Sequence, residues 1–220
     1  MKTKDLDTLA RALPSDPGLE GRDEYFNSVV LLLLIPIRDE LHIVFEKRAP
    51  GIRQGGEISL PGGRRDDSDD SDEATAIRET TEELGIRKGK IKIIGRLDSV
   101  FAPMGAMVDV FVGTADVIME DITINPDEVE KAFAIPVSYF EEHNPEEYRV
   151  IIEVHPDYID KSTGRKVVLL PSEELGLPDR YKTTWGGFKH KVYAYRTSEG
   201  TIWGITARIV RNFVERIKET

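Results

Sequence analysis

Residues 60–86 read Leu60-Pro61-Gly62-Gly63-Arg64-Arg65-Asp66-Asp67-Ser68-Asp69-Asp70-Ser71-Asp72-Glu73-Ala74-Thr75-Ala76-Ile77-Arg78-Glu79-Thr80-Thr81-Glu82-Glu83-Leu84-Gly85-Ile86, a glycine corner and an acidic loop that open into a helix. The pattern predicts a helix from about Asp72 to Leu84, with Asp70 or Ser71 as N-cap and Gly85 stopping it at the C′ position. At ~100° per residue, Glu79, Glu82 and Glu83 fall within an arc of about 100°, while Ala74, Ile77, Thr81 and Leu84 cluster opposite. One face is therefore acid and the other core. Like charges one turn apart cost a helix ~0.2–0.5 kcal/mol, so three carboxylates on one stripe call for compensating charge. Arg78 and Arg87 supply part of it, and a divalent cation would supply more. Hard carboxylate oxygens in a chain without cysteine select Mg²⁺ or Mn²⁺ over softer metals. An isolated acidic helix is usually a solvated face. This one follows a glycine pair, whose bare backbone lets carbonyl oxygens come close to a ligand or ion.

Working outward, residues 29–37 and 42–45 are apolar and β-branched and flank the polar Arg38-Asp39-Glu40, which predicts a hairpin. Residues 29–37 amount to about half the ~20 needed to cross a bilayer and include Pro36, so they read as a buried strand. The glycine-rich stretch after Gly51 is a loop broken by one short strand at 57–60. Further strands are expected at 91–94, 107–112, 148–154, 167–170 and 192–195, with a short helix over Val137–Glu142. The last helix is amphipathic, with Ile205, Ile209, Val210, Phe213, Val214 and Ile217 on one side. Residues 3–13 place Leu6, Leu9, Ala10 and Leu13 on one helical stripe, which Pro14 to Arg22 then breaks. The expected organisation is an N-terminal helix and linker over 1–24, then one domain over 25–220 with a charged, Pro/Gly-rich insertion at 157–180. Strands mixed with few helices give an α+β class.

The chain has 220 residues, 40% of them hydrophobic and 32% charged, which is globular composition. Thirty Lys+Arg against forty Asp+Glu leave a net charge of −10, so no global field draws it to nucleic acid or to an anionic membrane. An anionic substrate must be gripped by local chemistry. The absence of cysteine removes disulfides, thiolate metal sites and a Cys nucleophile. Two lysines near Met1 are followed by no apolar core of a secretory signal, and cytoplasm is the expected compartment. His42, His143, His155 and His190 show no metal-ligand spacing. Trp185, Trp203 and Phe188 read as core aromatics, with stacking on adenine as the alternative.

Gly63 followed by Arg78-Glu79-Thr80-Thr81-Glu82-Glu83-Leu84-Gly85-Ile86 resembles the signature box of the Nudix hydrolases. Five fixed residues at roughly 6% frequency each occur by chance about once in 10⁶ starts, or roughly 10⁻⁴ over a chain of this length. The resemblance implies a Nudix fold, a mixed β-sheet sandwiched between helices, and hydrolysis of a nucleoside diphosphate linked to a further moiety. By position it implies Glu79, Glu82 and Glu83 as ligands of Mg²⁺ or Mn²⁺, with Glu79 the first choice for shared duty as base. It gives Gly63 a backbone carbonyl on the metal, and Arg78 the task of holding the glutamates by ion pairing. A further catalytic acid often comes from a late loop, and Glu128 in Asn125-Pro126-Asp127-Glu128-Val129 is the candidate, an ordinary helix-start carboxylate being the alternative. The loop from Gly63 to Arg78 is one residue longer than usual, so its acid falls on Asp69 or Asp70. Thr80 stands where an aliphatic residue is usual.

Leu60-Pro61-Gly62-Gly63-Arg64-Arg65-Asp66 through Asp69 to Ala76-Ile77-Arg78-Glu79 is similar to the coenzyme A diphosphatases, which lengthen the same loop. Lys47-Arg48-Ala49-Pro50, Asn125-Pro126-Asp127-Glu128-Val129 and Ile202-Trp203-Gly204-Ile205-Thr206-Ala207-Arg208 extend the match. Leu60 and Ile52 stand where that subfamily usually has Phe and Arg, with Arg53 one step out of register. The resemblance implies cleavage of CoA or acyl-CoA to 3′,5′-ADP and 4′-phosphopantetheine or its acyl derivative. Arg48, Arg53, Arg64 and Arg65 are the candidates for reading the substrate's phosphates through forked hydrogen bonds, against the alternative of solvated loop arginines. Two rival readings stay open: a Nudix hydrolase of another nucleotide such as ADP-ribose, and a catalytically silent Nudix-fold binding module. The implied partner is a small CoA-like nucleotide, with no nucleic acid and no membrane. The insertion is left to cap the pocket or to pair subunits in a homodimer.

Overall fold

An apolar run without alternation belongs where both faces of a strand are covered. In the computed structural model, which describes residues 6–15 and 18–219, that run lies in β1 (Phe26–Ile37) at the heart of a mixed sheet. The expected hairpin is there: β1 pairs antiparallel with β2 (Glu40–Arg48), with Leu34 opposite Ile43. The short β3 (Ile58–Ser59) and β4 (Gly62–Gly63) pair with β2 and β1, and α2 (Asp72–Leu84) follows. The chain then runs through β5 (Ile91–Arg96), β6 (Val100–Ala102), β7 (Ala106–Ala115), β8 (Val129–Pro136) and α3 (Val137–Glu142). β9 (Glu146–Val154), β10 (Asp157–Ile159), β11 (Lys166–Val168), β12 (Trp185–Thr197), β13 (Gly200–Trp203) and α4 (Gly204–Lys218) complete it, and a short helix, α1 (Leu6–Ala12), precedes β1. No helix among the described residues is long and apolar enough to cross a membrane.

The main sheet runs β3-β2-β1-β7-β5, with β8 also on β2 and β6 also on β7. Only β1 and β7 are parallel, so the sheet is mixed. Alternate side chains of β1 serve opposite layers. Val29, Leu31, Leu33 and Ile35 pack with Ala76 and Leu84 of α2. Leu32 and Leu34 share the other core with Phe140 of α3 and Ile209, Val210 and Phe213 of α4. The result is the expected α+β arrangement with the sheet between helices.

A second, three-stranded sheet is ordered β13-β12-β9, and Tyr193, Tyr195 and Ile202 at its root join the α4 core. The segment expected as an insertion carries the hairpin β10–β11. Three expectations fail locally. Trp203 and Phe188 are exposed rather than core, because they sit on that second sheet where it leaves the domain. Ala10 and Leu13 of the expected N-terminal stripe are exposed, and residues 3–5 of that helix lie outside the described residues. Ile217 is also more than a third exposed, in the last turn of α4.

Asp109 of β7 points into the α2 side of the sheet at 3% exposure, a placement that demands partners. It has them in the guanidinium groups of Arg22 and Arg96 and the hydroxyl of Ser99, so residue 22 of the expected linker is bound to the domain. Burial pushes the Asp109 carboxyl up, but Ser99 and the two arginines outweigh it and hold the group below its ordinary value. A carboxyl depressed in the folded state contributes stability that is full above the unfolded value of ~3.9 and vanishes as pH falls through the lower folded value. Asp109→Asn is therefore expected to cost about 1–3 kcal/mol at pH 7. In urea unfolding the gap between variant and wild type should close below pH ~4. An equal gap at pH 7 and pH 3 would contradict this account.

Candidate active site

Helix α2 begins as its sequence demands. The Ser71 hydroxyl caps it by accepting from the Ala74 N–H at 3.1 Å, and Gly85 closes it in the left-handed region at φ 66°. Its buried arc is rotated from the expected one. Thr75, Ala76, Thr80, Glu83 and Leu84 are buried, whereas Ala74, Ile77 and Thr81 are half-buried. Thr80 satisfies its hydroxyl on the Ala76 carbonyl at 2.7 Å, so a polar residue sits in an aliphatic place without an orphaned group. The consequence for the acidic stripe is larger. It descends from solvent into the interior, with Glu82 exposed, Glu79 half-buried and Glu83 only 3% exposed.

The glycine corner makes that descent possible. The Gly62 N–H donates to Glu83 Oε2 at 2.8 Å, and Gly62 and Gly63 pair with Val30 and Val29 of β1. A Cβ on Gly63 would lie 2.4 Å from Glu79 Oε1, so the missing side chain is the space the carboxylate occupies. Arg78 organises the rest. Its guanidinium reaches Glu82 Oε2 at 2.8 Å, Glu79 Oε1 at 3.0 Å, the Arg64 carbonyl at 3.0 Å and Asp69 Oδ2 at 2.9 Å. Of the two candidates for the loop acid, the loop turns Asp69 inward and leaves Asp70 exposed. Asp69 also accepts from the Thr75 hydroxyl and the Asp66 N–H, and its hydrogen bonds to Arg78 hold its carboxyl far below the usual range.

Glu128 arrives from a turn before β8 rather than a helix start. That turn is tied to the site by the Asn125 N–H donating to the Glu83 carbonyl at 3.0 Å, and by the Ala49 N–H donating to the Glu128 carbonyl at 2.8 Å. A further acid escaped sequence reasoning: Glu46 of β2 is fully buried. The signal was there, because Glu46 shares strand parity with Val44, which packs in the α2 layer. Glu46 Oε1 accepts from the Ser59 hydroxyl at 3.0 Å and lies 3.6 Å from Arg48, while Oε2 is buried without a hydrogen-bond partner. Burial pushes the carboxyls of Glu46 and Glu83 well above the usual range, and the proximity of Glu46 raises Glu83 further. Glu79 is raised by burial too, with Arg78 opposing and Glu82 and Glu128 adding to the rise. Five glutamates thus share one field with few cations against them.

The four candidate arginines do different things. Arg48 faces Glu46 and donates to the Arg53 carbonyl. Arg53 and Arg64 both stack on the Phe26 ring, at 4.8 and 4.4 Å from its centroid. Arg65 instead braces the acidic loop, donating to the Asp69 carbonyl and lying 3.6 Å from Asp72. Together with Arg22, Asn27, Ser28, Val29, Asp72 and Asp109 it lines a cavity of about 380 Å³ beside the corner.

Among the described residues no group of three or more His, Asp or Glu side chains stands in ready-made ligating geometry. The donors nevertheless fit a hard divalent cation. They are all oxygens, Glu46 Oε2 is buried without a hydrogen-bond partner, and Mg²⁺ commonly uses only one or two carboxylates and keeps several waters.

Fold and site together define an α+β scaffold whose glycine corner faces a cluster of carboxylates, and comparison with known proteins gives its family. The NUDIX domain model matches residues 27–154, and the chain belongs to the Nudix family. Among curated proteins it is 33% identical over 138 residues to the peroxisomal coenzyme A diphosphatase NUDT7 of Mus musculus, covering 61% of this chain and 57% of that one. It is 31% identical to the mitochondrial coenzyme A diphosphatase NUDT8 of Homo sapiens over 51% of this chain and 49% of that one. The chain thus spans about half the length of these two relatives. The Nudix hydrolase NudL of Photorhabdus laumondii subsp. laumondii is 27% identical over 86% of this chain and 83% of its own. A solved MutT/nudix family protein from Enterococcus faecalis aligns with a TM-score of 0.49 at 16% identity, over 100% of this chain and 71% of that chain.

Proposed function

We propose that the chain hydrolyses the diphosphate of coenzyme A or acyl-CoA to 3′,5′-ADP and 4′-phosphopantetheine or its acyl derivative, with Mg²⁺ or Mn²⁺. The observation that carries the reaction is the graded stripe Glu82, Glu79, Glu83 against the Gly62-Gly63 corner, backed by buried Glu46. The likeness to two coenzyme A diphosphatases supports the substrate. Glu79, Glu82, Glu83 and the Gly63 carbonyl would hold the ion. When bound, the ion supplies positive charge to the phosphoryl oxygens and lowers the pKa of a coordinated water. Arg78 positions Glu79 and Glu82 from the outer side, and its bond to Asp69 anchors the loop that closes the corner. Glu79, half-buried and partly paired, is placed to accept a proton from water, and Glu128 is the second candidate from the late turn. Arg53 and Arg64 present guanidinium edges to an incoming phosphate while Phe26 covers their faces.

Product analysis separates the readings. With Mn²⁺, CoA should yield 3′,5′-ADP at a kcat/KM at least about tenfold above that for release of AMP from ADP-ribose. The reverse order would reassign the substrate. No turnover on either, with intact folding, would make the chain a binding module.

A further inference from the structure

β9, with the sequence Glu146-Glu147-Tyr148-Arg149-Val150-Ile151-Ile152-Glu153-Val154, is the outer strand of the second sheet. One side bonds to β12, and among the described residues no strand pairs with the other. Eight of its nine residues are exposed, including Val150, Val154 and Ile151 at 63%. Edge strands are normally guarded by shortness, proline, a bulge or charge, and the charges of β9 lie at Glu146, Glu147, Arg149 and Glu153, leaving 150–152 bare. β9 is nine residues long and has no proline, and the ribbon's only register break falls on β12, between Gly186 and Phe188.

We infer that this edge is a homodimerisation surface on which β9 of a second copy pairs antiparallel about a two-fold axis at Ile151, joining two three-stranded sheets into one of six. The strand's own sequence selects this occupant and this register. A two-fold normal to the sheet keeps each face on its own side, so partners must have like parity. With Ile151 opposite itself, Val150 meets Ile152 and Tyr148 meets Val154, each twice, on a face that is apolar from Tyr148 to Val154 and carries Glu146 only beyond the pairing. On the other face Arg149 meets Glu153 twice, flanking the Ile151 pair. The neighbouring registers are worse. Centring on Val150 sets Glu147 against Glu153, and centring on Ile152 sets Glu153 against Ile151 and runs the pairing into Pro156. Arg149 is free to make the exchange: it now pairs with Glu147 of its own strand at 3.2 Å, and Glu147 keeps Lys191 at 3.1 Å.

The test is sedimentation equilibrium of the full chain, and it needs no turnover. Wild type is expected to be dimeric at tens of micromolar. Arg149→Glu and Glu153→Arg, both at exposed positions, should each weaken association at least about tenfold, and the double reversal should restore it. A wild type monomeric at ~200 μM, a dimer indifferent to the single reversals, or a double variant that stays monomeric would overturn the proposal. Should a reversal unfold the chain, hydrogen exchange of the wild type decides: amides of β9 must gain protection with protein concentration, and unchanged protection refutes the pairing.

Discussion

Glu83→Gln is expected to lower turnover by about 10²–10⁴-fold, the range associated with losing a positioned carboxylate, while the fold survives. Glu83 is buried beside Glu46 and Glu79, and its carboxyl accepts the Gly62 N–H. A neutral amide keeps an oxygen for that N–H and, like the protonated carboxyl that burial favours, brings no charge into the interior. Without metal the variant should therefore be as stable as wild type or more so, because an uncompensated buried charge is costly. Its loss appears only when a cation has to be gripped. Glu82→Gln should also lower turnover, but through the exposed end of the stripe, where its partner is Arg78. Steady-state hydrolysis with Mn²⁺ together with urea unfolding checks both. Wild-type rates in the two variants would sink the assignment of these glutamates, and low rates accompanied by unfolding would make Glu83 structural.

Gly62→Ala should produce the largest loss of stability, about 3 kcal/mol or more. Gly62 holds φ 151°, where side chains are strained, and its added Cβ would stand 2.2 Å from the Val29 carbonyl oxygen and 2.6 Å from Val30 Cα. Both neighbours are backbone of the central strand and cannot swing aside. The substitution must push β4 off β1, which removes the N–H that Glu83 accepts, so the activity of whatever fraction folds should fall as well. Gly89→Ala is the control. Nothing lies within 4 Å of its Cβ, and a change within about 0.5 kcal/mol is expected. Equal midpoints for the two variants in urea would show that the corner tolerates a side chain.

The extent of the box helix, its cap and its stop were legible in residues 70–86 because each depends on neighbours within one turn: a hydroxyl three residues before an N–H, a glycine after the last apolar position. The face of that helix was less legible. Periodicity grouped Glu79, Glu82 and Glu83 correctly, yet set the group on the solvent side, since a wheel shows angles between residues and not the direction of the sheet. Glu46 was lost for the same reason. The expected strand stopped at Phe45 because Glu46 is charged, although its parity carried on into the interior.

From sequence alone came everything set by short-range geometry: the apolar strand covered on both faces, its hairpin, the acidic helix and the glycine pair that leads into it. Tertiary structure alone decided which distant carboxylates converge. β2 lies beside β1, bringing Glu46 to Glu83, and β7 runs parallel to β1, bringing Asp109 to Arg22. It also decided that β9 ends the second sheet, with no strand among the described residues on its outer side. Such neighbours are separated by tens of residues, and strand order is chosen by burial summed over the whole sheet, a quantity that no window of sequence contains.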